Sequence, residues 1–238
     1  MVSPKALARI AGSLYLGTSV LFVFAVQVRA RIIEPGDASA TTDNIRAAAT
    51  LFRVAFVADL VSSVGFLLLA LALYLLLKHV NEFAAVAMVT FVAVMTAVGY
   101  LNALNQYAAL TIATSTEYTR AFGLAGSSAL VMMFTGIQSN GLAIQELFWG
   151  MWLLPLAYLV IKSGYFPKMF GALLIIAGLS WIAEFFAIFL LPNLPGFASI
   201  LGLGELIFAA WLLVKAVRLP PSGASLPKGV SSVTANVP

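Results

Sequence analysis

No cysteine occurs among the 238 residues, and histidine occurs once, at position 79. The first absence removes disulfides, thiolate nucleophiles, iron–sulfur ligation and cysteine zinc sites, and it leaves the redox compartment unmarked. His79 falls in a predicted solvated turn between two apolar runs, which excludes histidine-ligated zinc, haem ligation and a serine–histidine pair. Charge is scarce as well: 13 Lys and Arg and 9 Asp and Glu make up 9% of the chain, where soluble domains carry about 25%. A net charge of +4, scattered along the chain, is too small for a nucleic-acid footprint. Gly202, Leu203 and Gly204 lack a preceding strand and a third glycine, so no dinucleotide site is expected. No metal and no cofactor are predicted.

What is present is apolar. Hydrophobic residues make up 62% of the chain and the mean hydropathy is +1.02, which points to an all-α polytopic membrane helix bundle embedded in a lipid bilayer. A crossing takes roughly 20 mostly apolar residues at about 1.5 Å of rise each. Six predicted transmembrane helices satisfy this, over residues 6–28, 51–78, 84–110, 142–161, 169–191 and 197–217. The apolar piece 125–137 is only 13 residues long. It is read as an interfacial or re-entrant helix within a segment 113–141 and is expected to end at a polar break, Gln138 to Gly141. Pro155 is a predicted kink.

Residues 1–218 thus form one transmembrane helical domain, with a loop over 29–49 that carries a Pro35 and Gly36 turn and a short helix capped near Thr41, Thr42 and Asp43. Residues 219–238, rich in Pro, Ser and Gly, read as a disordered tail. Lys5 and Arg9 precede an apolar run longer than a signal peptide's core of about 7–15 residues, so no cleaved signal is expected. Counting Lys and Arg on the two sides of six spans gives eight (5, 9, 78, 162, 168, 215, 218, 228) against five (29, 31, 46, 53, 120). The excess predicts both termini in the cytoplasm.

A series of short motifs recurs in order: RIAG at 9–12 with Leu14 and Tyr15, PGDA at 35–38, Asn44 and Ile45, LFR at 51–53, ADL at 58–60, and SGYFPK at 163–168 with Gly171. With these the chain resembles a bacterial membrane family, domain of unknown function 4386, from about Arg9 to the sixth span. The resemblance implies a multi-pass protein of the bacterial inner membrane with no assigned activity.

The polar residues inside the spans fall in one layer. Asp59, then Asn102, Asn105 and Gln106, then Gln145 and Glu146, then Glu184 and Glu205 lie on the order of 5–15 Å below the predicted outer surface at 1.5 Å per residue. Thr96, Gly99, Asn102 and Gln106 form one helical stripe; so do Asp59, Ser62 and Ser63. A charge at the bilayer centre costs about 2.5–3.5 kcal/mol even on lenient insertion scales, so these faces should point into the bundle and surround a polar cavity. Arg53 is the one basic residue assigned to a span on that side. It cannot neutralise Asp59, Glu146, Glu184 and Glu205, so either several carboxylates hold a proton or the site takes up a cation. Six residues turn a helix about 240° past a full turn, so an Arg53–Asp59 bridge is not assumed. Polar groups between membrane helices also act as plain glue, at about 0.6 kcal/mol each. Trp149, Trp152, Trp181 and Trp211 are expected as packing or interfacial anchors.

The candidate binding residues are therefore Asp59, Asn102, Asn105, Gln106, Glu146, Glu184, Glu205 and Arg53, for a small solute or a cation. Transport, with or without proton coupling, ranks first. A membrane-embedded enzyme using carboxylates on a lipid-like substrate, and a non-catalytic sensor or partner subunit using the 29–49 loop, are the alternatives.

Overall fold

The computed structural model describes residues 3–191 and 196–217; the predicted tail, 219–238, lies outside them. The first helix, α1 (Pro4–Ile32), opens as local chemistry dictates: the Ser3 hydroxyl accepts from the Ala6 N–H at 3.2 Å, and Pro4 occupies a position where a missing N–H costs nothing. A turn at Gly36, with φ 83°, leads to α2 (Ala38–Ala47). Its cap is Asp37, whose carboxylate accepts from the Ala40 N–H at 2.8 Å, so the helix starts earlier than the threonine-based cap predicted for it. Thr41 instead bonds back to Glu34, and Asp43 pairs with Arg46. Asn44 reaches the Ile32 carbonyl and Arg46 the Ala113 carbonyl, which fastens α2 across the ends of two long helices.

Four more long helices follow: α3 (Ala49–Leu77), α4 (Glu82–Thr114), α5 (Thr116–Ser163) and α6 (Lys168–Leu190). Together with α1 they are, among the described residues, the five helices long and apolar enough to cross a bilayer, and they make this a multi-pass membrane protein. The sixth predicted span is divided into α7 (Ala198–Leu201) and α8 (Leu203–Val214). The 12 residues of α8 rise only about 18 Å at 1.5 Å per residue.

The segment 113–141 departs from expectation. The polar run Gln138 to Gly141 breaks no helix, and 125–137 is the upper part of α5 rather than a separate interfacial or re-entrant piece. The one non-helical residue within α5 is Gly123, at φ 71° and ψ 173°, a conformation open to glycine; the backbone stays helical at Pro155. The physical reason lies in α4. The Asn102 amide donates to the Gln138 carbonyl at 2.8 Å, and a Cβ on Gly141 would stand 2.1 Å from the Asn102 side-chain oxygen. Polar and small residues here make a close helix–helix contact, not a break.

The helices form a closed ring in the order α1, α3, α4, α5, α6, α8 and back to α1. Glycines set its tightest joints. A Cβ on Gly12 would meet the α8 backbone at 2.6 Å, and one on Gly150 would meet the Gly178 carbonyl of α6 at 2.4 Å. The half of the ring nearer the α3–α4 turn is filled by a continuous apolar core including Leu69, Leu73, Met88, Leu156, Phe170 and Phe208. A smaller cluster, with Ile32, Ile45, Phe52, Ile112 and Val131, seals the α2 end. Between them the ring is not filled.

Gly150→Ala should destabilise the protein by about 1–3 kcal/mol, the usual cost of overpacking, because backbone atoms cannot withdraw. Gly136→Ala, where an added Cβ meets nothing within 4 Å, should be neutral or stabilising by up to about 1 kcal/mol. Chemical unfolding in detergent micelles measures both.

Candidate functional site

The unfilled space is a cavity of about 390 Å³, within the range of roughly 300–1,000 Å³ common for small-molecule sites. Each ring helix contributes one face. From α1 come Tyr15, Thr18, Ser19 and Phe22, and from α3 Asp59, Ser62, Ser63 and Phe66, both at helical spacing of three and four. Thr96, Gly99 and Asn102 of α4 face Gln138, Leu142, Gln145, Trp149 and Trp152 of α5, the last five recurring with a strict seven-residue period. Trp181 of α6, Gly202 between α7 and α8, and Glu205 and Leu206 of α8 complete the wall.

Two carboxylates reach this space, and their environments differ. Asp59 receives the Arg29 guanidinium at 2.5 Å. Arg29, itself 5% exposed, also donates to Gln106 Oε1 at 3.1 Å, and Gln106 donates on to the Phe52 carbonyl. Its second terminal nitrogen, Nη2, is buried without a hydrogen-bond partner. The charge of Asp59 is thus matched by a cation within the same bundle. Glu205 has no such partner: it accepts from the Tyr15 hydroxyl at 2.5 Å and from Trp181 Nε1 at 2.9 Å, both neutral donors.

Of the sequence candidates, Asp59, Asn102 and Glu205 line the cavity. Gln106 stands behind Asp59, joined through Arg29, and Asn105 donates to the Asn102 carbonyl and side chain. Glu184 lies elsewhere, accepting from the backbone N–H groups of Phe197 and Ala198 at the start of α7. Glu146, in electrostatic range of Glu184, keeps one buried carboxylate oxygen without a hydrogen-bond partner and does not line the cavity. Arg53 is exposed on the outer face of α3 and takes no part. The cation beside Asp59 is Arg29 because α1 extends a further turn past the predicted end of its span, carrying Arg29 inside.

Sequence reasoning also passed over Tyr15, Thr18, Ser19 and Phe22, whose periodicity could have marked a cavity face. Trp149, Trp152 and Trp181, expected as anchors, form cavity wall, while Trp211 packs against Phe170 with ring centroids 5.0 Å apart. Among the described residues no three His, Asp or Glu side chains group closely enough to ligate one metal ion.

The residues that line this cavity fall within the segment matched by the profile of one protein family, described as Domain of unknown function (DUF4386), over residues 10–216. The chain belongs to this family. An uncharacterized protein of Archaeoglobus fulgidus is similar, 39% identical over 77 residues, which is 31% of this chain and 44% of that protein. The chain thus matches less than half the length of that relative. No solved structure matches the chain. Membership of DUF4386 therefore brings the fold no activity, and the cavity carries the functional argument.

Asp59→Asn leaves a buried guanidinium without its counter-charge, which should cost about 3–5 kcal/mol of stability. An Arg29→Met, Asp59→Leu double variant, which removes both charges, should recover most of it. Arg53→Ala should stay within about 0.5 kcal/mol. Denaturant midpoints of the four proteins in one detergent decide the point.

Proposed function

We propose that this DUF4386 protein is a small-solute transporter, with the cavity as its binding site and the six ring helices as six crossings of a bacterial inner membrane. In this reading α7 and α8 together make the sixth crossing, and both termini face the cytoplasm. The observation that carries the reading is the cavity itself, bounded by all six ring helices, polar in part, and placed between two apolar plugs. A transporter needs a midplane site of this kind with a barrier on either side.

The enzymatic alternative draws less support. Asp59 is tied to Arg29, which leaves Glu205 without a second free carboxylate or a histidine beside it among the described lining residues, so no acid and base pair is assembled there. Asn102, Gln138 and Gln145 supply amide groups suited to orienting a solute.

The absence of native cysteine makes the test direct. A lone Ser19→Cys should react with a membrane-impermeant maleimide from either face of sealed vesicles, as alternating access requires. Reaction from one face only would leave a binding pocket but remove transport, and no reaction in folded protein would remove both. His79→Cys, in the α3–α4 turn, should react only from the cytoplasmic face, and Asp43→Cys, on α2, only from the other; the reverse result would invert the topology.

A further inference from the structure

The cavity shows an imbalance of charge together with an unusual wall. No Lys, Arg or His side chain lines it among the described residues. The charge of Asp59 is answered by Arg29, which leaves Glu205 as the lining carboxylate without a basic partner. A carboxylate in such a setting is costly unless something positive joins it. Six aromatic rings line the same cavity, in two groups. Tyr15, Phe66 and Trp152 form one, with centroids 5.0–5.8 Å apart. Phe22, Trp149 and Trp181 form the other, with the Phe22–Trp149 pair at 5.3 Å and the Trp149–Trp181 pair at 5.0 Å, both near-perpendicular. Aromatic faces attract cations through the ring quadrupole, and Trp does so best.

The two groups meet at Glu205, since its hydrogen-bond donors are Tyr15 from one and Trp181 from the other. A third feature bears on the ligand's remaining surface. Val23 of α1 and Leu203 and Leu206 of α8 line the cavity while also lying exposed on the outside of the ring. Below this level α1 and α8 close together at Gly12; here, among the described residues, these exposed apolar side chains form a side opening of the cavity between the two helices. A strongly hydrated inorganic cation suits neither the opening nor the wall.

We propose that the cavity binds a small organic cation, a quaternary or protonated amine carrying an apolar or aromatic group, with its charge held by Glu205 and the surrounding aromatic rings. The inference rests on reading the cavity as a solute site and names the class of solute. Tyr15 and Trp181 then have a positioning role: they fix the carboxylate so that it faces the cavity. The side opening between α1 and α8 gives an amphipathic cation a route from the bilayer.

Three probes, the first two nearly equal in shape, test this on the full chain in lipid nanodiscs. Benzyltrimethylammonium should bind and change the intrinsic tryptophan emission. Neopentylbenzene, its uncharged carbon analogue, should bind at least tenfold more weakly, and benzenesulfonate not measurably. Glu205→Gln should weaken the cation about tenfold or more and leave the neutral probe unaffected, whereas Glu184→Gln, outside the cavity, should bind as the parent does. Trp149→Leu, which keeps the carboxylate, should weaken the cation several-fold; it guards against Glu205→Gln acting through folding. Equal binding of the charged and neutral probes, or unchanged cation binding in Glu205→Gln, overturns the proposal. If that happens while Ser19→Cys is still labelled from both faces, transport stands and only the solute class falls. If Ser19→Cys labels from one face while the cation binds, the solute class stands and transport falls.

Discussion

A carboxylate inside an apolar bundle must meet a counter-charge or a full set of donors, and the arrangement of this molecule depends on how Asp59 meets that demand. Its partner is Arg29, from a different helix, and the guanidinium also engages Gln106 from a third. Three helices are thereby joined at one buried point, beneath the α2 cap. The pairing does more than hold α1, α3 and α4 in register. Because it cancels the Asp59 charge within the protein, it leaves the electrostatic character of the cavity to Glu205 alone.

The apolar core and the cavity are two outcomes of the same packing problem. Where the ring residues are Leu, Met and Phe, as around Leu73, Met88, Leu156 and Phe208, the six helices bury them in one continuous apolar core. Toward the α2 end the inward positions become Ser, Thr, Asn, Gln and large aromatic rings held at right angles to one another, and these do not interdigitate to the same density. Glycines bring the backbones of α1 and α8 close at Gly12, below the cavity, and those of α5 and α6 close at Gly150 and Gly178. Above, the cavity-lining residues Val23 of α1 and Leu203 and Leu206 of α8 are exposed, and among the described residues the ring opens between them. A cavity with a floor and a side opening follows from these positions.

The three remaining acidic candidates show how one residue type takes different roles in one bundle. Glu205 is held toward the cavity by two aromatic donors. Glu184, one helix away, accepts backbone N–H groups and organises the start of α7. Glu146 lies beside it on α5 with one oxygen buried and without a partner. Depth in the membrane, which grouped all three in the sequence, does not separate these roles.

The sequence by itself determined the class of the molecule and its polar inward stripes, because hydrophobic length and helical period are local properties that survive without tertiary contacts. It led to α1, α3, α4 and α6 and to the later part of α5, to α2 behind its Pro35 and Gly36 turn, to the stripe through Thr96 and Asn102, and to the family. Tertiary structure decided what each polar residue touches. A run such as Gln138 to Gly141 has the same composition whether it ends a helix or packs against one, and only the position of Asn102 makes it the second. Likewise Arg53 and Arg29 are both arginines at the edge of an apolar run. Rotation about the helix axis sends one outward and brings the other to Asp59, and that rotation is set by neighbours far away in the chain.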